Sequence, residues 1–189
     1  MHKPLHSLAA IRTGHTFRGR ITEDPQGDIH YVQIKDIKGQ TQLRSETLPR
    51  TNWQGPAEPP MLGAGDILLP ARGEYYDAVV ADGAAPVVAT SQFFVLRPRS
   101  DAVTADYLGW YLNRPEARSY FLTHRTGTSI PMLSKSSLGE LPVPVPTLEV
   151  QHQILALQQL WEQEQELTEL LLHNRERMLT GIFQQLLEQ

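Results

Sequence analysis

The sequence predicts an α+β protein: a β-sheet domain with short helices over residues 1–145, then one long C-terminal helix of coiled-coil type over 146–189. Three observations predict it. Short runs rich in β-branched and aromatic residues, punctuated by Gly and Pro, fill the first hundred or so positions and read as strands. After Thr104 the apolar spacing changes to the helical period. Beyond Pro146 there is no further proline and a single glycine, Gly181, so nothing interrupts roughly forty residues rich in Leu, Gln and Glu.

Each element follows from its own residues. Residues 5–11 form a short amphipathic segment leading through Gly14 into the basic, aromatic stretch "HTFRGRI". "IHYVQIKDI" (29–37) alternates apolar and polar residues and is expected to be one strand. "NWQGPAEPP" (52–60) is a loop by its Gly and Pro content. Residues 65–90 hold two or three short strands broken at Gly73 and Gly83, and "QFFVLRP" gives another. Thr104 is placed to cap a helix carrying Tyr107, Leu108, Tyr111 and Leu112 along one side. Pro115 suits the first turn of a second helix ending near residue 124. "LPVPVP" (141–146) reads as a stiff, extended, edge-like connector, because proline cannot donate to a sheet ladder. Pro146 and Thr147 then open the long helix, with Glu149 in the first turn facing the positive end of its dipole.

A hydrophobic content of 40% and a charged content of 20% fit a soluble globular protein. No apolar run approaches the ~18 residues of a membrane span, and the N-terminus is too polar for a secretory signal, so a cytoplasmic protein is expected. With zero cysteines, disulfides and thiolate metal sites are excluded. The net charge of −4 hides an asymmetry: residues 1–145 hold 15 Lys and Arg against 14 Asp and Glu, residues 146–189 only 2 against 7. The near-neutral part binds nucleic acid only if its basic groups share a face.

Along the long helix, Ile154, Leu157, Leu160, Trp161, Leu167, Leu170, Leu171, Met178, Ile182 and Leu186 recur in steps of three, four and seven, as a helix–helix seam requires. Glu164 and Asn174 interrupt the pattern. Self-association through Ile154, Leu157, Trp161, Leu167, Leu171, Met178 and Ile182 is expected; the alternative is a helix folded back on its own domain.

In order, the segments "LHSLAAIRTGHTFRGRI", "YVQIKDI", "LGAGDILLPARG", "SQFFVLRP", "DYLGWYLN" and "GTSIPMLSKSSLGELPVPVPTLEVQHQI" resemble the specificity (S) subunit of type I DNA restriction–modification enzymes. The resemblance covers nearly the whole chain, and the last segment is its most specific part. There, Val150 separates Glu149 from Gln151, where the family often has the two adjacent. The resemblance implies a target recognition domain built on a mixed, twisted sheet, followed by one spacer helix. Family members usually carry two such units in one chain; this sequence carries one and has no internal repeat. The implied arrangement is a homodimer reading a split palindromic site in double-stranded DNA; a truncated or single-domain relative is the alternative. Also implied are a DNA methyltransferase (modification) subunit that supplies S-adenosylmethionine and, where DNA is cut, a motor/nuclease restriction subunit. The chain itself is expected to be non-catalytic and to bind no cofactor. The acidic, Gln-rich outer face of the helix is the expected methyltransferase surface.

A DNA reader needs cations for phosphates and forked or amide side chains for base edges. The candidates are Arg18 and Arg20 beside Phe17, Lys35 and Lys38, Arg72 with Gly73, Tyr75 and Tyr76, the loop Arg125, Thr126, Thr128 and Ser129, and Lys135. Each cation also reads as a solvated surface charge, and "RTGTS" as a plain turn before Pro131. Enzymatic motifs are thin. Glu58-Pro59-Pro60-Met61 lacks both ends of an adenine methyltransferase motif, and His2 with His6 is a poor metal pair at a chain end. Two rival classes stay open: a protein-interaction module with a coiled-coil tail, and a metal-dependent nuclease using Asp28, Gln33 and Lys35.

Overall fold

The computed structural model describes residues 1–127 and 131–188 and divides into two units, Met1–Gln151 and His152–Gln189. Among the described residues, the first unit contains ten strands and five α-helices, counting the start of the last helix, besides two short 3-10 turns. They run β1 (His2–Pro4), α1 (Leu5–Leu8), β2 (Ala9–Thr13), β3 (Ile29–Val32), β4 (Gln42–Leu43), β5 (Arg50–Thr51), β6 (Ile67–Pro70), β7 (Val79–Ala81), β8 (Val87–Ala89), β9 (Phe93–Pro98), α2 (Ala105–Leu112), α3 (Pro115–His124), α4 (Lys135–Gly139) and β10 (Pro142–Pro144). The last helix, α5, spans Leu148–Leu187.

Three sheets form: five strands in the order β2-β9-β6-β7-β4, three in the order β5-β3-β8, and the ribbon β1-β10. The two larger sheets are mixed, as expected, because β4 pairs parallel with β7 and β3 parallel with β8 while the other pairs are antiparallel, the β1-β10 ribbon included. Strands β6, β7 and β8 are buried at every residue, the mark of strands covered on both faces. Val32, Ile37, Leu43, Leu68, Val79, Phe93 and Val95 share one core cluster. Burying such side chains supplies the main driving force for folding.

One expected element is shorter than the sequence pattern suggests. The strand over 29–37 stops at Val32, and Ile34–Ile37 coil into a 3-10 turn. The cause is a reciprocal capping box: the Asp36 carboxylate accepts from the Gln33 N–H at 2.8 Å, and Gln33 caps the Asp36 N–H in return. The alternating pattern was therefore local capping chemistry and not a continuous pleat. Residues 65–90, where two or three strands are expected, form three; the Thr104 cap and the helix beginning at Pro115 also form.

The proline ladder becomes β10 and pairs antiparallel with β1, His2 opposite Pro144 and Pro4 opposite Pro142. Proline has no N–H to give, but its carbonyl still accepts. The Pro142 and Pro144 oxygens take hydrogen bonds from the Tyr111 and Tyr107 hydroxyls of α2, each at 2.9 Å, while Val143 is fully buried. Burial raises both tyrosine pKa values, which keeps the hydroxyls as donors.

Gln151, in the first turns of α5, is completely buried. Its Nε2 donates to the Ala102 carbonyl at 2.7 Å and the Pro146 carbonyl at 3.0 Å; its Oε1 accepts from the Thr104 N–H at 3.0 Å. Thr104 in turn caps α2 by accepting from the Tyr107 N–H. One amide thus ties the entry to α2 to the entry to α5. Replacing Gln151 with Leu is expected to cost about 2–4 kcal/mol, because two carbonyls and one N–H lose their buried partners. Urea unfolding monitored by intrinsic fluorescence would measure it, and a loss below about 1 kcal/mol would contradict this account.

The second unit is the remainder of α5. The 40-residue helix is about 60 Å long at ~1.5 Å per residue. Its large apolar side chains, Leu157, Trp161, Leu167, Leu171, Met178 and Ile182 among them, are exposed to solvent.

Candidate nucleic-acid interface

The most functional-looking surface of the first unit grows from a crossing of two sheets at Gly14. The Gly14 N–H donates to the Phe93 carbonyl at 2.9 Å, and the His15 N–H to the Ala89 carbonyl at 2.7 Å. A Cβ on Gly14 would lie 2.1 Å from the Thr90 oxygen, so only glycine lets the strands approach this closely. The crossing presents His15 at the head of "HTFRGR", beside the 90–92 turn.

His15 starts a chain of rings. It sits 5.0 Å edge-on from Phe17 and 4.6 Å from Trp53, and Phe17 lies 6.2 Å from Tyr31. Trp53 is fixed at both ends: its backbone N–H donates to Asp28 and its indole N–H to the Ala57 carbonyl, each at 2.7 Å. The Tyr31 hydroxyl donates to Glu23 at 3.2 Å. Burial, reinforced by Glu23, pushes its pKa up to about 12, so the ring stays neutral at physiological pH.

The rings divide two open depressions. One, of about 920 Å³, is lined by Arg20, Lys35 and Arg72, with His15, Phe17 and Tyr31 and the amides of Gln33 and Gln92. The other, of about 820 Å³, adds Arg18, Asn52, Trp53 and Gln54. In the first, three cations face one carboxylate, Glu23, so the field there favours a polyanion. Cations, aromatic rings and side-chain amides, the group types that phosphates, base faces and base edges require, stand within one concavity.

Arg72 reaches this surface from the end of β6. Met132 forms backbone bridges with both Arg72 and Thr126, which carries the loop after α3 alongside. Gly73, at φ +105°, donates to the Pro131 carbonyl at 2.9 Å and turns the chain outward so that Tyr75 is exposed. The structure therefore brings Arg18, Arg20, Lys35 and Arg72 to adjoining concavities and sets Arg125 and Thr126 next to Arg72's strand. Thr128 and Ser129 lie outside the described residues. Lys38 sits beyond the 3-10 turn, exposed and outside both linings. Lys135 lines a separate hollow with Arg99, His6 and Glu140.

Tyr76 does not offer the flat polar surface expected of it. It is buried against Phe121, with ring centroids 5.5 Å apart, because the chain after Gly73 turns its second tyrosine into the core. The sequence reading missed His15, Trp53 and Gln92. His15 could have been found from its place between Gly14 and Phe17. Trp53 sits in a Gly/Pro loop and Gln92 at a strand start, and neither carries a local signal.

Comparisons with known proteins place the chain among relatives. The model of the type I restriction modification DNA specificity domain matches residues 1–172. Among solved structures, the HsdS subunit from Thermoanaerobacter tengcongensis is 20% identical with a TM-score of 0.64, over 87% of this chain and 37% of that one. The type I restriction–modification S subunit from M. genitalium is 16% identical with a TM-score of 0.59, over 86% and 39%. A chain from a study of complex assembly and conformational transition of the type I R-M system is 21% identical with a TM-score of 0.62, over 87% and 38%. The chain thus spans under two fifths of the length of each, and at these identities the likeness is one of fold. No curated protein matches the sequence.

Proposed function

The chain belongs to the family of type I restriction–modification DNA specificity domains, and from that premise we propose that it is a non-catalytic subunit reading one half of a split DNA sequence. Two copies pair through α5, so two identical readers address a palindromic site. A DNA methyltransferase subunit that supplies S-adenosylmethionine docks on the acidic, Gln-rich face of the helix. Cleavage, where it occurs, belongs to a further motor/nuclease subunit. The complex works on DNA in the cytoplasm.

The observation that carries this reading is the joint lining of one depression by Arg20, Lys35 and Arg72 with aromatic rings and amides. A nuclease reading finds less support, since the Asp28 carboxylate holds the Trp53 backbone and Lys35 stands on a 3-10 turn beyond the strand.

The test is a methylation map. The chain is co-expressed with its methyltransferase subunit and host DNA is sequenced for N6-methyladenine, with and without residues 147–189. A split palindromic motif appearing only with the full chain is the expected result; no motif, with an active methyltransferase, would refute the DNA role. At single residues, Arg72→Ala is expected to weaken DNA binding about tenfold without loss of fold. Lys35→Ala is expected to make the slope of log affinity against log salt shallower by about one. Fluorescence anisotropy across a salt series reads both, and an unchanged slope would remove Lys35 from the interface.

A further inference from the structure

At residues 71–73 the wall of the first depression continues as a narrow ribbon of three segments. The Leu133 N–H donates to the Ala71 carbonyl and the Gly73 N–H to the Pro131 carbonyl, each at 2.9 Å. On the other side Met132 and Thr126 exchange both backbone hydrogen bonds, each at 2.8 Å. Arg72, Met132 and Thr126 are therefore direct cross-strand partners, with Met132 in the middle. Such partners project on one face of a sheet with Cα atoms about 4.5–5.5 Å apart, so the row is about 10 Å long.

The two faces of the ribbon differ. Ala71 and Leu133, each one residue off the row, are buried, and alternation sends Arg125 to that inner side as well. There burial raises the Tyr76 pKa, and the Arg125 guanidinium offsets part of the rise, which sets Arg125 near the buried tyrosine and outside the row. On the outer side Thr126 is exposed, and Met132 keeps 51% of its surface in water. An unbranched apolar side chain thus stands in the open between a guanidinium and a hydroxyl, on backbone tied at both edges.

We propose that this row enters the major groove and that Met132 reads a thymine, its thioether side chain packing on the C5-methyl group. The inference deepens the reading of the chain as a DNA-specificity subunit and rests on that reading. The major groove admits a β-ribbon, and the thymine methyl is the apolar mark that distinguishes one base there. A row of about 10 Å spans about three base steps at ~3.4 Å each. Arg72 and Thr126 stand on either side of Met132 with hydrogen-bonding groups for the neighbouring base edges.

Uracil lacks only the methyl group of thymine, so it tests the contact directly. With the site taken from the methylation map, each thymine of one half-site, on either strand, is replaced by uracil in turn. Binding of the full chain is read by fluorescence anisotropy. One replacement is expected to weaken the natural chain about fourfold, the value of one buried methyl group, and to leave the affinity of Met132→Ala unchanged. Met132→Leu, which keeps a large apolar side chain, should still show the loss. Both variants should melt with the natural chain, because the side chain they alter is half in water. A natural chain indifferent to every uracil would overturn the assignment of Met132 and leave the DNA role standing. So would a half-site without thymine, or a uracil loss that persists in Met132→Ala. A chain that directs no methylation beside an active methyltransferase would refute the DNA role and the assignment with it.

Discussion

Arg97→Ala is expected to destabilise the first unit by about 3–5 kcal/mol, the cost of stranding a buried charge. The Arg97 Nε and Nη2 donate to the two oxygens of Asp66, each at 2.6 Å, in a forked pair. The Asp66 side chain is 1% exposed and that of Arg97 57%. The two halves of the pair are therefore unequal. Losing Arg97 leaves a carboxylate sealed inside, with the Gly63 N–H at 2.9 Å and a distant Arg12 at 4.0 Å as remaining company. Losing Asp66 lets Arg97 return to water, so Asp66→Ala is expected to cost less, about 1–3 kcal/mol. The double variant should recover part of the Arg97→Ala loss. Thermal melts would separate these outcomes, with Arg97→Ala falling on the order of 10 °C. A greater loss for Asp66→Ala than for Arg97→Ala would contradict the ranking.

The second large effect is expected at Gly14. Its backbone does not adopt positive φ, so the constraint is one of space and not of conformation. Alanine there would place Cβ 2.1 Å from the Thr90 oxygen and 2.7 Å from the Ala89 oxygen, both fixed backbone atoms. The sheets must part, at a cost of about 3 kcal/mol or more, and His15 moves with them. Gly14→Ala should therefore lose stability and DNA binding together, unlike Arg72→Ala. Gly19 provides the contrast. It has φ +80°, and a methyl added there would meet nothing within 4 Å, so Gly19→Ala should cost only about 1 kcal/mol. Equal melting temperatures for the two alanine variants would refute the close-approach argument.

What the sequence made legible was local. The Thr104 cap, the apolar face of α2 and the proline at the head of α3 are decided within one or two helical turns, and each forms where expected. The 29–37 segment misled because the side chains of Gln33 and Asp36 outcompete a pleat that their neighbours' alternation suggested. Several cations of the DNA candidate set could be named from residue type. Their gathering with His15, Trp53 and Gln92 could not, since it depends on pairing between strands distant in sequence. Gln151 shows the same limit. The resemblance marks it at the helix start, but its role is set by groups near residue 102 that no local pattern reveals.

The β1-β10 ribbon has a consequence for the order of events during synthesis. The opening strand of the chain has no partner until residues 142–144 have been made, so the first unit cannot close early. Once they emerge, the 40 residues of α5 are still being translated or have only just followed. At ~5–20 residues per second, the ribosome takes roughly 2–8 s to add them. The first unit therefore has its complete set of strands before the apolar seam of α5 is available, and a nascent chain can finish its own sheets before it meets a second copy.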